Sequence, residues 1–371
     1  MANSLLYCRS ICLTDPKRNR MNVGRGYEPN KYGDWIIRSA DFFSLGNCFS
    51  QFGGENAYSV LMLQQSAKTR ALGVDFISSF TDDVSAVITN PATLSRLNHK
   101  TFALTYTYLF SGINQAALAG GYSVDGVGTF ALGFQYLNYG NFDMTEENGD
   151  VVGKFSAADY VITLSWGRML DSNVYIGANL KPVFSKYESY SSSAIAIDLS
   201  VGFQSNDRTW SASLMARNMG AQIKKFANED SSTPFDLEFA ASKKLNHAPF
   251  ILYLELNNLH RWDIRENDPL NPRDKTDLNG NVEKENKFSG FIDNMFRHVQ
   301  IGTEFVPSKH FYLALGYSWK QNREMQVSDA FSLAGLSYGF GLNYRQFRLA
   351  YSRCEYHRYG SPNYVSLLIK L

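Results

Sequence analysis

The 371-residue chain lacks any uninterrupted run of 18 apolar residues, which excludes a membrane-crossing helix. It also lacks a net charge of either sign: 36 Lys and Arg stand against 35 Asp and Glu, leaving +1 and no electrostatic footprint for nucleic acid. Cysteine is scarce, with four residues, and Cys8, Cys12 and Cys48 fall within the first fifty positions at no metal-binding spacing. If that N-terminal segment is removed, only Cys354 remains and no internal disulfide can form. HExxH and P-loop patterns are missing, and no catalytic constellation and no cofactor is implied. Long helical periodicity is missing too. The mean hydropathy of −0.27 looks soluble, but it does not exclude a membrane. A transmembrane barrel alternates apolar and polar residues and averages to a similar value.

From Lys100 onward the chain does alternate, with period two. Phe130, Leu132, Phe134 and Tyr136 are interleaved with Ala131, Gly133 and Gln135. Ile195, Ile197, Leu199, Val201 and Phe203 are interleaved with Ala196, Asp198, Ser200 and Gly202, and Phe311 to Trp319 and Leu336 to Tyr344 repeat the pattern. About fourteen such segments follow, near 101–110, 114–123, 127–138, 157–168, 173–185, 191–204, 208–218, 235–245, 249–259, 297–306, 310–320, 334–344, 346–354 and 362–371. Each has the length a tilted strand needs to cross a bilayer. The non-apolar face is rich in Gly, Ala and Ser, not in the Lys, Glu and Thr of a solvated sheet. Small residues suit the crowded inside of a closed barrel, which places the large apolar residues outward. Tyr106, Tyr108, Tyr136, Trp166, Trp210, Tyr317, Trp319 and Tyr344 recur towards strand ends, as an interfacial girdle requires.

Connections alternate in length. Tight ones lie at 124–128, 170–173, 205–208, 246–249, 306–310 and 345–346; longer, more polar ones span 138–156, 220–236, 260–296 and 321–334, with a short exception at 111–113. Short turns on one rim and long loops on the other are the habit of an outer-membrane barrel, and an even strand count predicts that both termini are periplasmic. The fold class is therefore all-β, a transmembrane outer-membrane barrel of about 14 antiparallel strands with a short N-terminal helical plug.

Ahead of the strands, residues 1–52 read as a leader or a misannotated N-terminal extension: Lys17, Arg18, Arg20 and Arg25 precede an apolar stretch that Arg38 and Asp41 interrupt. Residues 53–99 read as the plug segment and 100–371 as the barrel. Asp82-Asp83 reads either as a carboxylate pair for acid–base work or a cation, or more plainly as the residues that cap and begin a short helix over 84–89. Asn90-Pro91 then stops that helix near Thr89, and Asn90 as N-cap with Pro91 at the first position starts a second through Leu97. The six histidines read as solvated turn or rim residues.

"SAKTRALGVDFISSFTDDVSAVITNPATL" (66–94), with its Asn90-Pro91-Ala92, followed by fourteen strands, resembles the outer-membrane long-chain fatty-acid transporter (FadL-type) superfamily, and its "TDDVSAVITNPATL" (81–94) also belongs to the narrower resemblance that follows. "GGENAYSVL" (53–61, with Gly53, Gly54, Glu55, Asn56 and Tyr58), "GTFALGFQYLNYGNF" (128–142), "SYSSSAIAIDL" (189–199), "KKLNHAPF" (243–250) and "AGLSYGFGL" (334–342) resemble, within that group, the PorQ-like components of the Bacteroidetes type IX secretion system. That resemblance implies a non-catalytic outer-membrane anchor for a cell-surface attachment complex. Its partners would be membrane lipid and the surface protein PorZ, beside PorU and PorV. The wider superfamily implies instead a transporter of hydrophobic small molecules, which needs an apolar pocket in the lumen; the inward residues are small and mildly polar. A diffusion porin would need a charged constriction ladder that is not apparent.

In the 260–296 connection, a charged, Pro-punctuated stretch gives way to "FSGFIDNMFRHV" (288–299), where Phe291, Ile292, Met295 and Phe296 share one helical face. With Trp262 and Phe288 they read as a cover over the barrel mouth or as a surface facing a partner.

Overall fold

The computed structural model describes residues 57–73, 78, 80–226, 230–265, 275–276, 282–283, 285–325, 332–356 and 360–371. The 1–52 segment and Gly53, Gly54, Glu55 and Asn56 lie outside the described residues.

Fourteen antiparallel strands close on themselves. They are β1 (Thr101–Tyr108), β2 (Asn114–Val124), β3 (Gly128–Thr145), β4 (Val151–Met169), β5 (Val174–Tyr187), β6 (Tyr190–Gln204), β7 (Trp210–Lys224), β8 (Asp236–Lys244), β9 (Phe250–Leu256), β12 (Val299–Ser308), β13 (Phe311–Ser318), β14 (Leu336–Tyr344), β15 (Phe347–Cys354) and β16 (Asn363–Lys370). A separate two-stranded pair, β10 (Lys275–Thr276) and β11 (Val282–Glu283), sits in the β9–β12 connection. Every wall strand pairs with its chain neighbour, and β1 pairs with β16 from Thr101 opposite Lys370 to Tyr108 opposite Asn363. Closure satisfies every ladder and leaves no edge, which lipid demands.

Burial runs opposite to that of a soluble sheet. Along β1 the exposed residues are Phe102, Leu104, Tyr106 and Tyr108, and the buried ones are Thr101, Ala103, Thr105 and Thr107. Leu132, Leu164, Leu199, Leu254, Leu315, Phe340 and Leu349 continue the exposed apolar belt around the wall. No helix among the described residues is long and apolar enough to cross a membrane; the strands do that.

Several connections are shorter than their sequence suggests. The 138–156 segment is mostly strand: β3 and β4 run on past the belt as a two-stranded extension, with a bulge at Asn138/Gly140 where Gly140 takes φ +91° and Phe142 stacks on Phe155 at 5.3 Å. Polar composition hid this because an extension standing beyond the membrane meets water on both faces. β7 likewise continues to Lys224, into the expected 220–236 loop.

Inside the wall lie the helical pieces of the N-terminal segment. After a 3-10 turn at Ser59–Met62 come α1 (Ala67–Ala71) and α2 (Val84–Val87), then 3-10 turns at Pro91–Thr93 and Arg96–Asn98. The second helix expected through Leu97 is thus two separate turns, because Leu94 adopts an extended backbone (ψ 128°) between them. On the long-connection rim, α3 (Lys287–Arg297) precedes β12 and α4 (Trp319–Met325) follows β13; α4 takes Trp319 and Lys320 out of the expected 310–320 strand, which ends at Ser318, and runs into the expected 321–334 loop.

Candidate functional site: the plugged lumen

The plug is held by local caps first. Asp83 caps α2, its Oδ1 accepting from Ser85 N (3.0 Å) and Ala86 N (3.3 Å), and its Oδ2 accepts from Ser66 Oγ (3.1 Å), the residue that caps α1. Asp82 takes no part in the cap. It reaches the wall and pairs with Arg348 of β15 at 2.7 Å. Burial would raise the Asp82 carboxyl, but Arg348, with Lys68 and Lys370 nearby, holds it below the usual carboxylate range. Neither carboxylate is arranged for acid–base work, since each is committed to cations or N–H and O–H donors. Among the described residues, no group of three or more His, Cys, Asp or Glu could hold a metal ion.

Asn90, Pro91 and Ala92 form a fully buried corner against β4, β5 and β6. Asn90 Oδ1 accepts from Ala92 N at 3.3 Å, Ser200 Oγ accepts from the same N–H at 2.9 Å, and Asn90 O accepts from Thr93 Oγ1 at 2.8 Å. The corner fits only because the wall has no side chains there. A Cβ on Gly177 would lie 2.2 Å from Pro91 C, and one on Gly167 would lie 2.3 Å from Pro91 O. Gly316 and Gly302 do the same for Leu72, where a Cβ would come within 1.9 Å and 2.6 Å of its carbonyl oxygen. The inward glycines, read from the sequence as relief for barrel curvature, are the bed of the plug. Hand-over to the wall runs through Asn98: its Nδ2 donates to Thr81 O (3.0 Å), and its carbonyl accepts from Thr101 Oγ1 (2.9 Å) at the first strand residue.

Lumen-facing polar groups tie the rest down. Lys68 pairs with Glu304 at 3.1 Å, and Glu304 also accepts from Tyr253 OH at 3.0 Å. Arg70 donates to Gln321 Oε1 (2.9 Å) and to the buried Cys354 sulfur (2.8 Å). Arg217 holds Leu61 O (3.2 Å) and pairs with Glu238 (3.3 Å), Gln115 holds Gln64 O (3.1 Å), and Gln135 holds Val60 O (3.1 Å). Lys181 pairs with Asp198, which further accepts from Asn218 N (2.7 Å) and Asn179 Nδ2 (2.8 Å); Asn179 also donates to Ile88 O (3.1 Å). Tyr58, buried with φ +62°, hydrogen-bonds Ser192 through its hydroxyl. None of these charged pairs stood out in the sequence. Strand parity points Lys181, Asp198, Glu238 and Glu304 inward, but the pairings come from the register of neighbouring strands (β5 with β6, β7 with β8) and, for Glu304, from the seated plug.

The plug leaves a cavity of about 720 Å³ at the short-turn mouth. Its floor is apolar, with Phe80, Leu94 and Leu97 from the plug and Tyr175 from the wall, where Phe80 and Tyr175 lie 4.3 Å apart between ring centroids. Arg168, Arg208 and Lys244 stand around it.

At the opposite rim, Trp262 packs 5.3 Å from Phe291, and Phe296 packs 5.6 Å from Trp319, while Phe288 is the most exposed of the group. Ile292 and Met295 are half-buried on the same helix. The structure therefore separates these residues from the Asn90–Ala92 corner and the cavity. His298, expected in solvent, is buried there: its Nδ1 lies 2.7 Å from Asn257 O and its Nε2 2.9 Å from Trp262 O, bracing the end of α3.

Comparison with family models and with curated proteins gives no match. Among solved structures, the toluene transporter TodX of Pseudomonas putida is similar with a TM-score of 0.51 at 14% identity, over 84% of this chain and 98% of that one. A FadL homologue of Pseudomonas aeruginosa gives a TM-score of 0.44 at 10% identity, over 83% and 97%. The closed ring of fourteen strands, its apolar outer belt and the helical segment within it give this chain the fold of a transmembrane outer-membrane β-barrel.

Proposed function

We propose that the protein is an outer-membrane transporter of hydrophobic or amphiphilic small molecules, with the plug as its stopper. The observation that carries this reading is the cavity of about 720 Å³ beneath the plug, roomy enough for a small solute and floored by Phe80, Leu94, Leu97 and Tyr175. A lumen blocked by a buried, hydrogen-bonded segment does not suit a diffusion porin. β1 begins and β16 ends on the short-turn rim, where Leu371 N donates to Lys100 O at 3.0 Å; short turns face the periplasm in such barrels, so the described chain would end there. The test is uptake by vesicles carrying the purified protein. A radiolabelled aromatic hydrocarbon or fatty acid should enter faster than into empty vesicles, with Leu97→Glu slowing it and a sugar of similar size excluded. Equal uptake with and without the folded protein overturns the reading.

A second reading is a non-catalytic anchor in type IX secretion, holding PorZ near PorU and PorV. It draws support from the density of charged and polar ties between plug and wall, since a scaffold gains from a plug that does not move. Gentle crosslinking in native membranes separates the two: surface proteins recovered without bound lipid favour the anchor, and lumenal lipid without partners favours transport.

A further inference from the structure

Helix α3 is mounted the wrong way round for a helix that meets water. At about 100° per residue, Phe288, Phe291, Ile292, Met295 and Phe296 share one arc, and Gly290, Asn294 and Arg297 share the other. The buried positions are Gly290 and Asn294. Asn294 clamps the rim segment, donating to Trp262 O at 2.6 Å and accepting from Ile264 N at 3.2 Å. The polar face is thus fastened to the barrel, and the apolar face points away, with Phe288 73% exposed, Phe291 51%, Phe296 42% and the adjoining Trp262 55%.

This patch is not isolated. Phe296 meets Trp319 at 5.6 Å, and Trp319 meets Tyr317 edge-on at 6.4 Å. Tyr317 lies on the outward row of β13 with Leu313 and Leu315, opposite Ile301 of β12, within the apolar belt of the wall. Ring by ring, the helix face continues the surface that contacts lipid. Its polar flank carries Asp293, bridging Arg297 (2.8 Å) and Arg323 (3.2 Å), and Arg323 lies over the Trp319 ring at 5.0 Å. Tryptophan with arginine at an apolar edge is the composition of a membrane interface.

We propose that α3, with Trp262 and Trp319, is an interfacial anchor seated in the lipid leaflet on the long-connection side, so that the occupant of its apolar face is membrane lipid. The assignment rests on the barrel fold and is independent of transport. An amphipathic helix with this face buried at the head-group boundary needs no partner protein to cover it.

The full chain is reconstituted in phosphatidylcholine vesicles, with and without bromine placed near the head-group end of the acyl chains. The contribution of Trp262 is the difference between wild type and Trp262→Phe, with folding checked by the mobility of unheated protein on gels. Brominated lipid should reduce that contribution by about twofold or more, and aqueous acrylamide should leave it nearly unchanged. Phe288→Trp places an added reporter on the same face, should behave alike, and carries the test if Trp262→Phe does not fold. Quenching of both reporters by acrylamide and not by brominated lipid would place the face in water, awaiting a protein, and overturn the assignment.

Discussion

A single methyl group at Gly177 should unseat the plug. The Cβ of Gly177→Ala would stand 2.2 Å from Pro91 C, 2.4 Å from Ala92 N and 2.5 Å from Pro91 O. Carbon atoms pack at about 3.5–4.0 Å, so wall and corner must part by more than about 1 Å. No flexible side chain can absorb that, because the struck atoms are backbone, held by the Pro91 ring and the Asn90 cap. Retreat stretches the 2.9 Å bond from Ala92 N to Ser200 Oγ. Overpacking costs about 1–3 kcal/mol and a lost hydrogen bond about 1 kcal/mol more, giving a loss of about 2–4 kcal/mol. Urea unfolding in lipid vesicles reads the stability, and limited proteolysis within 57–98 reads the plug. Gly153→Ala is the control: it sits in the β4 extension, its nearest atoms are Met144 Cβ and Sδ at 4.0 Å, and its change should stay within about 0.5 kcal/mol. If Gly177→Ala matches Gly153→Ala in both stability and protease resistance, the plug does not bear on the wall glycines as described.

Further expectations concern the ties. Lys181→Met strands the fully buried Asp198 carboxylate and should cost about 3–5 kcal/mol in urea unfolding; adding Asp198→Asn should recover much of the loss. Because Asp82 is held below its unfolded pKa, its pairing with Arg348 contributes fully above about pH 4 and is lost as pH falls through the folded value. Protease resistance of the plug should therefore decline on acidification in the wild type, with a smaller decline in Asp82→Asn. Asn90→Ala removes the cap on the Pro91–Thr93 turn and should lower stability by about 0.5–2 kcal/mol, measured as the same urea midpoint. A tag placed after Leu371 should resist protease in intact cells and become cleavable once the outer membrane is permeabilised.

Much of this architecture is legible in short stretches of the chain. Alternation along Phe130–Tyr136 states both the strand and its lipid face, because a two-residue period is a property of the strand alone. Asp83 and Asn90 announce their caps because the partners lie two or three residues on. Two mistakes share one cause. The polar 138–156 segment looks like a loop, and His298 looks solvated, because composition reports average exposure and not what a given backbone or ring meets.

The chain by itself determines the number of strands, which side chains face lipid, which rim carries the tight turns and where the plug bends, for each follows from spacing within a dozen residues. Tertiary structure alone decides what the inward face is for. Asp82 finds Arg348 across 266 positions, Arg70 finds Cys354 across 284, and the Pro91 corner rests on Gly177 of a distant strand. Only ring closure brings these groups together: a lone lumenal charge or a missing Cβ acquires meaning when the opposite wall and the plug fill the space it faces. The direction of the α3 face was decided the same way. Its periodicity defines an apolar stripe, but Asn294 and His298, by gripping the rim, turn that stripe outward.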